Sequence, residues 1–92
     1  MMSKTPINLD KVGKQELNKE ILRVGMIAEL DAVNLYEQMA AITTEERIRE
    51  VLLDIAKEEK THVGEFLTLL LKEDEEQQRE LEKGKKEVEA LK

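Results

Sequence analysis

Two long apolar stripes at helical spacing, interrupted once, decide what this chain can fold into. From about Lys14 to Ile42, Leu17, Ile21, Val24 and Ala28 form one line. Leu22, Gly25, Met26, Glu29, Ala32, Val33, Tyr36, Met39 and Ala40 form a second. Steps of three and four residues put each line on one face of an α-helix. A helix that is apolar on two sides is contacted by more than one neighbour. The pattern stops at Thr43-Thr44-Glu45-Glu46, where Thr43 and Glu46 have the spacing of a capping box. It resumes from about Glu45 to Lys72, through Leu52, Ile55, Ala56, Val63, Phe66, Leu67 and Leu70. Two long helices joined by two or three residues predict an antiparallel αα-hairpin and an all-α fold.

The ends read differently. Residues 1–13 contain the only proline, Pro6, and an early Gly13, and form an arm whose Asn8 or Asp10 is suited to cap the first helix. After Leu71 the chain is almost wholly charged, with Leu81, Val88 and Leu91 as a thin apolar line. That line predicts a third, shorter helix over about 75–91, although Gly84 weakens it. The tail is expected to act as a docking helix between subunits or as a solvated linker. The organisation is therefore one domain: an arm over 1–13, a hairpin over 14–72 and a charged helix or linker over 73–92. At 92 residues the chain buries a modest share of its surface alone, so a partner subunit is expected.

Several classes of function are excluded. With no cysteine there is no disulfide, thiolate zinc site, iron–sulfur cluster or rubredoxin-type electron-transfer module. No apolar run approaches ~20 residues, so no membrane span is expected. Met1-Met2-Ser3-Lys4-Thr5-Pro6 lacks the apolar segment of a secretory signal, and a cytoplasmic location follows as the expectation. A net charge of −6 argues against nucleic acid, whose phosphates require clustered Lys and Arg. An acidic surface serves solubility first, but in a concave assembly it also concentrates divalent cations.

The chemistry lies on the second stripe. Glu59 and His62 sit among its Leu, Ile and Val residues, where an ionisable group is costly unless paired, hydrogen-bonded or bound to a metal. Their spacing puts both side chains on one side of a single turn. Seventeen of the residues are Glu, so chance readily supplies such a neighbour to the lone histidine. Glu29 adds the needed constraint, because it too lies mid-stripe. If the chain reverses near residue 44, Glu29 and Glu59 stand at one level, each ~22 Å from the turn. Two inward carboxylates at one level repel unless a cation lies between them. The same register sets His62 opposite Met26 and Gly25 opposite Val63. A helix-interior glycine costs roughly 1 kcal/mol against alanine, so Gly25 makes room for a ligand side chain or for close helix packing.

The count of ligands points to a dimer. Ferritin-like di-metal bundles take one Glu from each of two helices and one Glu-x-x-His from each of the other two. This chain supplies half of that set and half of a four-helix bundle, and a two-fold dimer completes both. Four carboxylates and two imidazoles suit two ions of iron or manganese, with Glu59 bridging and Glu29 and His62 terminal. Tyr36 lies two turns beyond Glu29 and serves core packing or a role beside the metal. Asp31 is near Glu29 but points elsewhere, with a role in metal access as the alternative to a solvated one. Glu37, Asp54, Glu58 and Glu65 belong to outer faces, and Met26 and Met39 fill the core.

In Glu29, Tyr36, Glu59 and His62, and in their mutual spacing, the chain resembles the encapsulated ferritins, small two-helix ferritin-like proteins stored inside encapsulin nanocompartments. The resemblance covers roughly residues 10–92. It implies a ferroxidase that oxidises Fe²⁺ to Fe³⁺ at a di-iron centre split across two subunits, with two iron ions per dimer. It also implies dimers assembled into a ring-shaped decamer, an encapsulin shell protein as partner, and a cytoplasmic location inside that shell. There are departures. Ala28 and Leu35 stand where family members with an acidic site for incoming metal carry Glu and an aromatic residue. The chain closes on Glu-Ala-Leu-Lys rather than on an apolar docking peptide, which suggests a piece of something longer, such as a fusion to the capsid protein. Two rival readings are a non-catalytic helical oligomerisation module and a rubrerythrin-like peroxidase, the latter without a cysteine-bound electron donor in the chain.

Overall fold

The structure is a computed structural model and describes residues 13–92. The arm and its Asn8 and Asp10 caps therefore lie outside the described residues. Within them there are three helices: α1 (Lys14–Ile42), α2 (Glu46–Glu73) and α3 (Glu75–Glu89). The first two pack along each other as the expected antiparallel hairpin, and α3 packs on it far more sparsely. Gly13 takes the N-cap position of α1, without a side-chain cap.

The core is thin. Among the described residues, Val33, Ala40, Ala56 and Leu70 are its buried apolar residues, and no large side chain is fully enclosed. The reason is geometric: two helices each bury one stripe against the other and leave the flanking stripe outside. Ile27, Leu30, Ile48, Val51, Leu53 and Leu69 stay exposed. The radius of gyration, 16.4 Å, exceeds the roughly 12 Å of a compact chain of this length.

The turn does not use the expected capping box. The loop Thr43–Glu45 is extended, so Glu45 rather than Thr43 abuts the first turn of α2. Its carboxylate accepts from the Arg47 N–H at 3.3 Å, while the Thr43 hydroxyl accepts from the Glu45 N–H at 3.2 Å. The Glu46 carboxylate instead pairs with the Arg49 guanidinium. No basic residue stands in the last turn of α1, and Arg49 supplies that charge from α2. It donates to the carbonyls of Ala40 at 3.1 Å and Thr43 at 2.6 Å, two acceptors that the end of a helix leaves open.

A single residue, Asp74, separates α2 from α3. It is nearly buried, caps α3 by accepting from the Gln77 N–H at 3.0 Å, and accepts from Arg23 of α1 at 2.7 Å. The Gln77 hydrogen bond holds its carboxyl below the usual aspartate range, helped by Lys19 and Arg23 and opposed by burial. A depressed folded-state value means that this contribution is present above the unfolded value, near ~3.9, and is lost as pH falls through the folded one. Acid is therefore expected to release the start of α3 only below about pH 4. The Gln77 amide resonance should then shift with a midpoint below that of a free aspartate, and should cease to do so in Asp74→Asn. The expected third helix is thus present, two residues shorter than predicted, with Gly84 tolerated inside it at an ordinary φ.

Candidate metal centre

Glu29 projects from the middle of α1 and meets Glu59 and His62 from α2. The His62 Nδ1 atom lies 3.2 Å from Glu29 Oε2 and 3.4 Å from Glu59 Oε2. One donor atom from each residue falls within 4.8 Å of the others. Among the described residues, this is the one group of three His, Asp or Glu side chains that converges in this way. The carboxylates are largely shielded, with side chains 20% and 19% exposed, whereas the imidazole is 42% exposed. The cluster therefore opens to one side. From that side an open groove of about 850 Å³ runs along α2, past Glu65, Phe66 and Leu69.

The donor set fits a divalent cation better than it fits itself. A neutral imidazole offers one N–H, and Nδ1 faces two carboxylate oxygens that both need a positive partner. A first-row ion held at ~2.1 Å would space adjacent ligands by about 3 Å, close to the two separations seen here. Carboxylate oxygen with imidazole nitrogen is a hard, mixed set of the kind that iron and manganese accept.

Glu29 and Glu59 converge as the hairpin geometry anticipates, and the His62 side chain joins them. The Phe66 ring comes within 3.0 Å of where a Gly25 Cβ would stand. Side chains on a helix lean toward its N-terminus, so in an antiparallel hairpin residues about one turn apart in level meet tip to tip. Glu29 therefore sits between Glu59 and His62 and touches the range of both. The space at Gly25 is filled by an aromatic ring, so close packing rather than a ligand side chain explains that glycine. Tyr36 and Asp31 are half-buried and are not among the three converging residues. Glu37, Asp54, Glu58 and Glu65 are exposed as expected, and Glu37 also bridges to Lys60 at 2.9 Å. Among the described residues, no helix is long and apolar enough to cross a membrane.

A two-helix hairpin with a carboxylate–histidine cluster drawn from both helices is a ferritin-like arrangement. The chain belongs to the EncFtn-like family, whose pattern it matches over residues 5–86. It is 56% identical over 87 residues to the ferritin-like–encapsulin shell fusion protein of Pyrococcus furiosus. That match takes in 95% of this chain and 25% of the relative, so the chain spans about a quarter of the fusion protein's length. The crystal structure of the encapsulated ferritin domain from Pyrococcus furiosus superposes with a TM-score of 0.84 at 54% identity, covering 99% of this chain and 95% of that one.

Proposed function

We propose that the chain is a ferroxidase subunit, taking up Fe²⁺ between two copies of the hairpin and releasing it as Fe³⁺. The observation that carries this reading is the convergence of Glu29, Glu59 and His62 at a cluster open on one side. One chain supplies two carboxylates and an imidazole, half of the ligand set of a ferritin-like di-iron centre. A second hairpin related by a two-fold axis would bring the other half, and would cover the exposed Leu69 and the half-buried Phe66 beside the cluster.

In that dimer, Glu59 would bridge two iron ions, with Glu29 and His62 as end ligands. Iron is the substrate: two Fe²⁺ would each give one electron to dioxygen, which takes up two protons and leaves as hydrogen peroxide. The carboxylates favour the product because hard oxygen anions stabilise the higher charge. Manganese fits the same donors. Two open hairpins enclose no space for a mineral, so stored iron needs a surrounding shell. The relative that joins such a domain to an encapsulin shell supports a shell protein as partner and a place inside a nanocompartment. A ring-shaped decamer built from dimers is the assembly that the family reading suggests.

The test is mass by light scattering before and after anaerobic addition of Fe²⁺, with metal counted per chain. One ion per chain in a species of even copy number is expected. A protein that takes up no stoichiometric Fe²⁺ or Co²⁺ and assembles regardless of chelator would instead be a helical oligomerisation module.

A further inference from the structure

Gly25 and Phe66 form a contact one turn from the cluster that the proposed chemistry does not use. Gly25 precedes Glu29 by four residues on α1, and Phe66 follows His62 by four on α2, so each stacks directly on a cluster residue of its own helix. A Cβ built on Gly25 would stand 2.7 Å from Phe66 Cε1, 2.8 Å from Cζ and 3.0 Å from Cδ1. Three ring carbons inside contact distance leave no room for a methyl group. Gly25 has no positive φ, so its backbone does not require glycine. What requires it is the ring. A helix-interior glycine is otherwise a loss of roughly 1 kcal/mol.

We infer that Phe66, seated in the notch at Gly25, is a positioning device that fixes the rotation and height of α1 against α2 and so aims Glu29 at Glu59 and His62. The neighbours of Gly25 are Val24 and Met26, so sliding α1 by one residue, or turning it, would drive a side chain into the ring. The ring also lines the groove that leads from Glu29 and His62, so any swing away from the notch moves it along the open side of the cluster. Ligand sets tolerate displacements of only about 0.5 Å, which makes the adjacent layer the place where such a device acts.

The inference rests on the metal reading above, and the experiment separates the two. Co²⁺ is titrated into metal-free wild type, Gly25→Ala, Phe66→Leu, the double variant, and Gly84→Ala, whose added methyl meets nothing within 4 Å. Imidazole ¹⁵N shifts of His62 and thermal melting are followed without metal. Gly25→Ala is expected to weaken Co²⁺ binding by about 10- to 100-fold, to change the cobalt visible bands and to move the His62 shifts. Leucine lacks Cε1 and Cζ, so the double variant should recover all three, and Gly84→Ala should leave them at wild-type values. If Gly25→Ala melts lower but keeps wild-type bands, affinity and His62 shifts, the contact is packing alone and the inference falls. If it fails to fold, a double variant that folds without regaining those signals overturns it equally. A wild type that ignores Co²⁺ sinks the ferroxidase reading only, and the metal-free His62 shifts then decide this one.

Discussion

Replacing Glu59 by alanine is expected to lower the initial rate of Fe²⁺ oxidation by at least about a hundredfold. Removing a group that merely supports a metal ligand typically costs 10- to 100-fold, so removing the ligand that would bridge both ions should cost no less. Glu29→Ala and His62→Ala should fall into the same range. The three losses should not multiply when combined, because the residues act as one unit. Glu58→Ala, one residue away on an exposed face, provides the control and should oxidise iron normally. Stopped-flow absorbance of the ferric product under air reads the rate directly. Wild-type rates in Glu59→Ala or His62→Ala would refute the assignment. Glu29→Ala and Glu59→Ala should remain folded, since deleting one carboxylate relieves the repulsion between two.

The second large effect concerns stability. Leu70→Ala should cost about 2–4 kcal/mol, because a nearly buried leucine at 3% exposure leaves both lost contacts and a void. For a domain of this size each kcal/mol lowers the melting midpoint by roughly 4–8 °C. The adjacent Leu69 is 50% exposed in the single chain, and its replacement should matter little to an isolated hairpin. A loss at Leu69 that is present at high protein concentration and shrinks on dilution would reveal a second copy covering it. Chemical denaturation at two protein concentrations distinguishes these outcomes, and a Leu70→Ala midpoint equal to that of wild type would contradict the described core.

Some of this was legible residue by residue. The three- and four-step recurrence of Leu17 to Ala40, and of Leu52 to Leu70, depends only on helical periodicity, and both helices run where that recurrence placed them. The low cost of a short loop made the hairpin the natural closure. Glu29, Glu59 and His62 stood out because charge on an apolar stripe demands a partner, and the fold brings the three together. The capping box at Thr43 misled because a local spacing cannot report that the loop runs extended. The roles of Arg49, Asp74 and Phe66 escaped notice because each reaches from one helix to another.

What periodicity and polarity determined was the set of inward-facing residues on each helix, since both follow from 3.6 residues per turn and the cost of burying charge. Only the packed hairpin decided how far each helix is turned about its axis, which set Glu29 against His62 and filled the notch at Gly25 with a ring. That choice depends on side-chain volumes meeting across the interface, a quantity no single helix carries.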